Sequence, residues 1–245
     1  REVPVYAATE DAIDAVARGV RWRIPPAPPL PIPAPATPVT ATDYWSARSL
    51  LIDADLPVSA ARRIPAGALA VTDGLRYPLV AKAMGLNHKS DAGGVLLNIA
   101  DDAHLARAVA DLHERLAPPA VVIEEQAPVH DGVELIVGCR RDPAFGPLVM
   151  VGLGGIYAEI LRDTAIALGP ISPEEAETLI RSLRGAPLLL GARGKPELDI
   201  AGAAAFVTSL SLLTASHPEL DALEVNPLLV LPDRVVALDT RMTLG

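Results

Sequence analysis

The run Leu223–Asp239, LEVNPLLVLPDRVVALD, constrains this chain more than any other stretch. Two β-rich segments flank Pro232–Asp233, which has the composition of a hairpin turn. If Leu231 and Arg234 close that turn, or Val230 and Val235 close a four-residue loop, one register follows. Asn226 then faces Asp239, and Glu224 faces Arg241. A three-residue loop breaks it. Directly opposed residues share a face, with Cβ atoms roughly 4.5–5.5 Å apart. An amide oxygen beside a carboxylate suits a hard, oxygen-seeking cation such as magnesium. An edge hairpin with an Asn-Pro kink and a solvated aspartate fits the same residues, and geometry alone leaves both readings open.

With 245 residues the chain has room for one large domain or two small ones. Half of it is hydrophobic but only 3% is aromatic, so Ala, Val, Leu and Ile must fill the core. A net charge of −9 argues against nucleic acid as a partner, because phosphate-backbone binding needs clustered Lys and Arg. Cys139 stands alone, which excludes an internal disulfide framework and makes a reducing cytosol the expected compartment. Ala201–Ser216 carries no charge, yet it is short for a membrane span and dotted with Ser and Thr. The opening residues show no basic n-region followed by an apolar run. The first residue is Arg, so a processed chain or a piece of a longer protein is expected.

In chain order, Val3–Tyr6 is β-prone, and Ile13, Val16, Ala17 and Val20 give the Glu10–Arg18 segment one helical face. A strand and a helix cannot bury themselves alone, so residues 1–24 read as the tail of a preceding domain. Dense prolines then predict an extended spacer over 25–42. An SH3-type ligand is the lesser reading, since no Arg or Lys flanks a Pro-x-x-Pro core. Asp43 is expected to cap a helix to about Ala54 that buries Leu50 and Leu51. Ile64–Val71 reads as extended, Thr72–Gly74 as a turn, and Pro78–Ala83 as an apolar strand with one charge, Lys82. A lone lysine in such a strand either snorkels or is held for an anion; by itself the residue points to snorkelling.

His88-Lys-Ser-Asp-Ala-Gly93-Gly94 follows, a loop whose glycines admit close backbone approach and whose amides can cradle phosphate. It is not the Walker pattern, since no Gly-Lys-Ser/Thr follows. Asp101 caps a helix over Asp102–Leu116, with His104 and His113 expected at its surface. Val121–Glu125 and Val133–Arg140 read as strands, and Leu148–Val151 leads into a second glycine loop at Gly152–Gly155. Ile156–Leu168 is expected to be extended. Ser172-Pro-Glu-Glu175 is a capping box opening a helix to Arg184, and Asp199 caps another through Thr214. The class is α+β, or mixed α/β.

Assembled, Tyr77-Pro-Leu-Val-Ala-Lys82, the His88–Gly94 loop, Gly132–Gly138, Arg141–Pro147, Gly152–Glu159 and Glu224-Val-Asn-Pro-Leu228 resemble one family in its own motif order. It is the ATP-grasp part of ADP-forming (NDP-forming) acyl-CoA synthetases, relatives of the succinyl-CoA synthetase β subunit. The resemblance runs from about Asp43 to Met242. It implies an ATP-grasp fold of two α/β subdomains, 43–117 and 118–245, with nucleotide and metal held in the second. Val3–Arg23 resemble the end of a succinyl-CoA-ligase-like (flavodoxin-like) domain.

By that resemblance Lys82 contacts the phosphates of ATP or ADP, while Glu124, Glu125, Gln126 and Ala127 form the hinge at adenine. Glu134 lies towards the sugar, and Asn226 and Asp239 hold Mg2+. His88 matches a transiently phosphorylated histidine, and Gly93, Gly94, Gly154 and Gly155 line the phosphate route. The implied reaction converts acyl-CoA, ADP and phosphate into carboxylate, CoA and ATP. Its partners are the CoA-binding, CoA-ligase domains of the same or a partner chain, with no nucleic acid and no membrane, and an oligomer at full length. One departure stands out. Family members carry a helix of about three turns between the strand near Ile64 and the Lys82 strand, as the resemblance implies and not helix-length statistics alone. Here only Ala70–Arg76 remains. A degenerate ATP-grasp regulatory or structural module, fused to an acyltransferase or CoA-binding protein, is the alternative this departure motivates. A ligase passing an acyl phosphate directly to an amine is disfavoured by the His88 loop.

Overall fold

The computed structural model of the chain describes residues 30–34, 36–85, 93–155 and 163–245, together with Thr9 and Ile13. The chain divides into two units, Arg1–Leu30 and Pro31–Gly245. In the first, Thr9 and Ile13 are helical and exposed. The expected Val3–Tyr6 strand, the remainder of the Glu10–Arg18 helix, His88 and the start of the Ile156–Leu168 segment lie outside the described residues.

Residues 31–34 and 36–42 have no regular structure, and two of their amides are bonded to the body of the unit. The Ala36 amide donates to the Ser216 carbonyl at 3.4 Å. The Val39 amide donates to the Glu219 carboxylate at 2.7 Å. Proline-rich chain has few amides to satisfy, and these two find acceptors at the end of a helix.

Helix α1 (Tyr44–Asp53) starts where expected, because the Asp43 side chain accepts from the amides of Trp45 and Ser46. Four antiparallel strands then make a small sheet: β1 (Ala61–Pro65), β2 (Leu79–Ala83), β3 (Val95–Ile99) and β4 (Ala120–Glu125), in the order β1-β4-β2-β3. The expected extension to Val71 stops at Pro65, followed by a turn at Gly67 whose φ of +78° leaves the strand region. Between β1 and β2 the chain is irregular, with no helix among the described residues. Ion pairs tie this short connection down, Arg62 to Asp73 at 2.6 Å and Arg76 to Glu125 at 2.9 Å. Helix α2 (Asp102–Leu116) covers one face of the small sheet through Leu105, Val109 and Leu112. His104 and His113 are half-buried rather than on the open surface, and His113 Nε2 is buried without a hydrogen bond among the described residues.

The larger sheet follows: β5 (Val133–Asp142), β6 (Gly146–Leu153), β7 (Thr164–Leu168), β8 (Leu220–Val230), β9 (Val235–Ala237) and β10 (Thr240–Leu244). Its order is β10-β8-β5-β6-β7, with β9 also paired to β8, and every ladder is antiparallel. Helices α3 (Pro173–Arg181), α4 (Ala186–Leu189) and α5 (Ile200–Ser216) complete the unit. The Ser172 capping box is fully formed, but α3 ends at Arg181, short of Arg184, where the Ser182 hydroxyl turns back to the Leu179 carbonyl. The uncharged stretch at 201–216 is a core helix: ten residues of α5 are buried, including Phe206, Val207 and Leu210. Among the described residues no helix is long and apolar enough to cross a membrane.

The expected boundary between 117 and 118 does not match the sheets. β4 lies beyond it, yet pairs on both sides within the small sheet, to β1 and to β2. Helix α1 lies before it, yet Ala47 and Leu51 join the core of the large sheet. Tyr44 and Trp45, at the start of the same helix, pack on Met84, Ala120 and Val122 of the small sheet. Burying Leu51 alone stabilises that attachment by about 1.5–3 kcal/mol. Helix α1 therefore ties one sheet to the other.

Candidate functional site

The hairpin register is the one that the turn dictates. Leu228 pairs with Ala237, Val225 with Thr240 and Glu224 with Arg241. Leu231 N–H donates to Arg234 O at 2.8 Å, and between the ladders Asn226 N–H donates to Asp239 O at 2.9 Å. On its other side β8 slips against β5: Leu228 pairs with Leu135 but Val225 with Val137, so Asn226 and Pro227 together face Ile136. Proline has no amide to give the ladder, and a bulge there re-aims the neighbouring side chain. The core-facing positions change phase across the slip, from Leu223 and Val225 to Leu228 and Val230. Asn226 is left exposed and Asp239 half-buried. The Asn226 amide nitrogen donates to Glu224 at 3.3 Å, which turns the amide oxygen away from that carboxylate. Asp239 Oδ1 accepts the Thr240 amide at 3.0 Å.

Across from this hairpin, alternation along β2 sends Leu79, Ala81 and Ala83 towards α2 and Lys82 to the opposite face, and on β4 it sends Glu124 there too. Lys82 does not snorkel. It is 9% exposed, and its ammonium donates to Glu124 Oε2 at 2.9 Å and to the Leu238 carbonyl at 2.5 Å. A buried lysine needs such partners to remain charged. Leu238 adjoins Asp239, so Lys82 bridges the small sheet to the hairpin of the large one. Tyr44 completes the group: its hydroxyl donates to Glu124 Oε1, and Lys82 Nζ lies 5.3 Å from its ring centroid. Burial, with the charges of Glu124 and Asp239, pushes the Tyr44 phenol well up.

Of the residues expected at a hinge, Glu124 faces this cluster while Glu125 faces away to Arg76. The hydrogen bond from Arg76 outweighs burial and lowers the Glu125 carboxyl. Gln126 is locked to Asn98 by two bonds of 2.6 and 2.9 Å. Ala127 presents its carbonyl to the Val129 amide at 2.9 Å.

Glu134, Gly154 and Gly155 form a second group. Gly154 N–H donates to Glu134 O at 2.7 Å. A Cβ on Gly154 would meet that carbonyl at 3.0 Å, and one on Gly155, whose φ is +60°, would meet Glu134 Oε2 at 2.5 Å. Burial raises the Glu134 carboxyl. Gly154 allows close backbone approach and Gly155 a left-handed backbone, so Gly154→Ala is expected to destabilise the fold by about 1–3 kcal/mol in urea unfolding. An alanine variant as stable as the parent would contradict that packing. In the first glycine loop, Gly94 O accepts the Ala83 amide at 2.8 Å and Gly93 O accepts from Arg115 at 3.1 Å.

No group of three His, Cys, Asp or Glu side chains suited to a metal occurs among the described residues. The donor set of Asn226 and Asp239 nevertheless fits magnesium, which takes one or two protein oxygens and fills its octahedron with water and phosphate. Sequence reasoning missed Tyr44 and the second acceptor of Lys82, the Leu238 carbonyl; neither carries a local signal.

Residues 35–244 match the family model of the ATP-grasp domain. The chain is 38% identical over 177 residues to the β subunit of ADP-forming acetate–CoA ligase I of Pyrococcus furiosus, covering 69% of this chain and 75% of that subunit. It is 36% identical to ADP-forming acetate–CoA ligase I of Archaeoglobus fulgidus, covering 71% of this chain but only 26% of that longer protein. Among solved structures, a Korarchaeum cryptofilum dinucleotide-forming acetyl-coenzyme A synthetase, in complex with coenzyme A and Mg-AMPPCP, has its phosphohistidine segment pointing towards the nucleotide-binding site. It aligns with a TM-score of 0.73 and 30% identity over 82% of this chain and 92% of that one. The same synthetase with coenzyme A and Ca-AMPCP aligns with a TM-score of 0.77 and 25% identity, over 96% of this chain and 100% of that one. With two antiparallel sheets facing each other across Lys82, and with these relatives, the chain belongs to the ATP-grasp family, among the domains of the ADP-forming acyl–CoA ligases.

Proposed function

We propose that the chain is the nucleotide-binding part of an enzyme converting acyl-CoA, ADP and phosphate into a carboxylate, CoA and ATP, and the reverse. The observation that carries it is Lys82, a buried cation in the small sheet whose ammonium reaches the hairpin beside Asp239. Phosphoryl transfer asks for charge neutralisation and in-line positioning more than for covalent help. Lys82 supplies a fixed positive charge on one side, and Asn226 and Asp239 offer hard oxygen donors on the other. Magnesium held there supplies further charge neutralisation of the phosphates. In this reading Glu124–Ala127 border the adenine largely through their backbone, Glu134 lies towards the sugar, and His88 carries phosphate between the nucleotide and an acyl-CoA site outside this chain. A nucleophilic imidazole splits one transfer into two, which lets distant sites share a phosphate. Gly93, Gly94, Gly154 and Gly155 border that route, and the CoA-binding partner is a domain of the same or another chain.

The test is isothermal titration of the chain with Mg-ADP and Mg-ATP. Saturable binding without turnover is expected; no heat at millimolar nucleotide would overturn the reading.

A further inference from the structure

We propose that Tyr44 is a positioning residue for the Lys82 ammonium, acting through Glu124 from a helix that belongs to the core of the opposite sheet. The proposal rests on Lys82 being the phosphate-binding lysine.

Glu124 is 3% exposed and divides its two oxygens: Oε2 takes the ammonium at 2.9 Å, and Oε1 takes the Tyr44 hydroxyl. A carboxylate so buried must have donors on both oxygens, and a phenol is the neutral donor that adds no competing charge. Burial and the neighbouring carboxylates hold the phenol well above its ordinary range, so the hydroxyl keeps its proton to donate. The Tyr44 ring also lies beside the ammonium at 5.3 Å, within cation–π reach. Tyr44 is held from two directions. Its ring packs with Met84, Ala120 and Val122 of the small sheet, while Ala47 and Leu51 of its helix sit in the core of the large one.

The consequence is directional. While Tyr44 occupies Oε1, Glu124 presents one oxygen to Lys82, and the ammonium has donors left for the cleft, where the Leu238 carbonyl takes one at 2.5 Å. Nucleotide phosphate would take the place of that neutral carbonyl, not of Glu124. Without the hydroxyl, Glu124 can turn both oxygens to the ammonium and hold it back from phosphate. Tyr44 thus sets how strongly the lysine is offered to the phosphates, and leaves the base and sugar untouched.

The chain has three lysines, Lys82, Lys89 and Lys195, so the Nζ resonance of Lys82 is assignable in the full chain by its absence from Lys82→Met. Tyr44→Phe keeps the ring and its packing. It is expected to shift the Lys82 Nζ resonance and to weaken Mg-ADP binding about tenfold, the loss of one hydrogen bond to a charged group. Adenosine affinity is expected to stay unchanged. A Lys82 resonance that does not move in Tyr44→Phe overturns the proposal. So does an equal loss of ADP and adenosine affinity, which would mark a general loosening of α1. Should the parent chain bind no nucleotide, the functional reading fails, and the Lys82 resonance alone then decides whether Tyr44 positions the ammonium.

Discussion

Lys82→Met is expected to cost about 3–5 kcal/mol of stability in urea unfolding and to abolish measurable Mg-ADP binding. The stability loss follows from the buried pair: the lysine and glutamate side chains are only 11% and 3% exposed. Removing one partner leaves an uncompensated charge inside the protein. A fall in binding could then be dismissed as unfolding, so the informative variant is the double one. Lys82→Met with Glu124→Gln removes both charges and keeps an amide oxygen to accept the Tyr44 hydroxyl. A buried pair replaced as a unit is often close to neutral in stability. The double variant should therefore recover most of the lost stability and none of the ADP affinity. If it binds ADP as the parent does, Lys82 is a structural strut between the sheets and not a phosphate ligand.

Lys82 also shows where sequence reasoning stops. As a lone charge in an apolar strand it points to snorkelling, because nothing nearby in sequence offers it an anion. Its acceptors come from Glu124, 42 positions away, and from Leu238, 156 positions away. The hairpin was legible because its constraint is local: a turn fixes pairing, and pairing fixes which residues face each other. Asp43, Asp101, Ser172 and Asp199 were legible for the same reason, since each cap is a bond to an amide two or three residues on.

What escaped the sequence is long-range. The chain order puts β4 after the α2 helix and invites its assignment to the second subdomain. Only the ladder with β1 and β2 places it in the first sheet. Helix α1 precedes the small sheet in sequence, yet Ala47 and Leu51 are buried in the core of the large one. The docking of Ala36 and Val39 onto Ser216 and Glu219 joins segments about 180 positions apart and has no periodicity to betray it. The absent helix before β2 was legible as a shortfall in length. That Arg62–Asp73 and Arg76–Glu125 ion pairs stand in its place was not. Both pairs are exposed on at least one side, so they order the connection more than they stabilise the fold.

The same locality makes Asp239 the sharpest probe of the hairpin's purpose. Asp239→Asn preserves an oxygen to accept the Thr240 amide, now at 3.0 Å, and the backbone bond to Asn226 at 2.9 Å is indifferent to the side chain. Because Asp239 is half-buried, urea unfolding of the variant is measured alongside, with a stability change within the ordinary range of about 0.5–3 kcal/mol expected. Magnesium, however, is drawn by ligand charge as well as geometry, and an amide in place of the carboxylate removes the only formal negative charge in the Asn226–Asp239 pair. Losing an outer-shell partner costs 10–100-fold in metal affinity in typical sites, so losing a ligand should cost at least about a hundredfold. The measurement is a magnesium titration of ADP binding by calorimetry. In the parent chain, ADP affinity should climb with magnesium; in Asp239→Asn it should remain at its magnesium-free level across the same range. A variant whose ADP affinity still climbs with magnesium as the parent's does would return the hairpin to the plainer reading, an edge turn with a solvated aspartate, and would leave Lys82 to bind phosphate without a metal across from it.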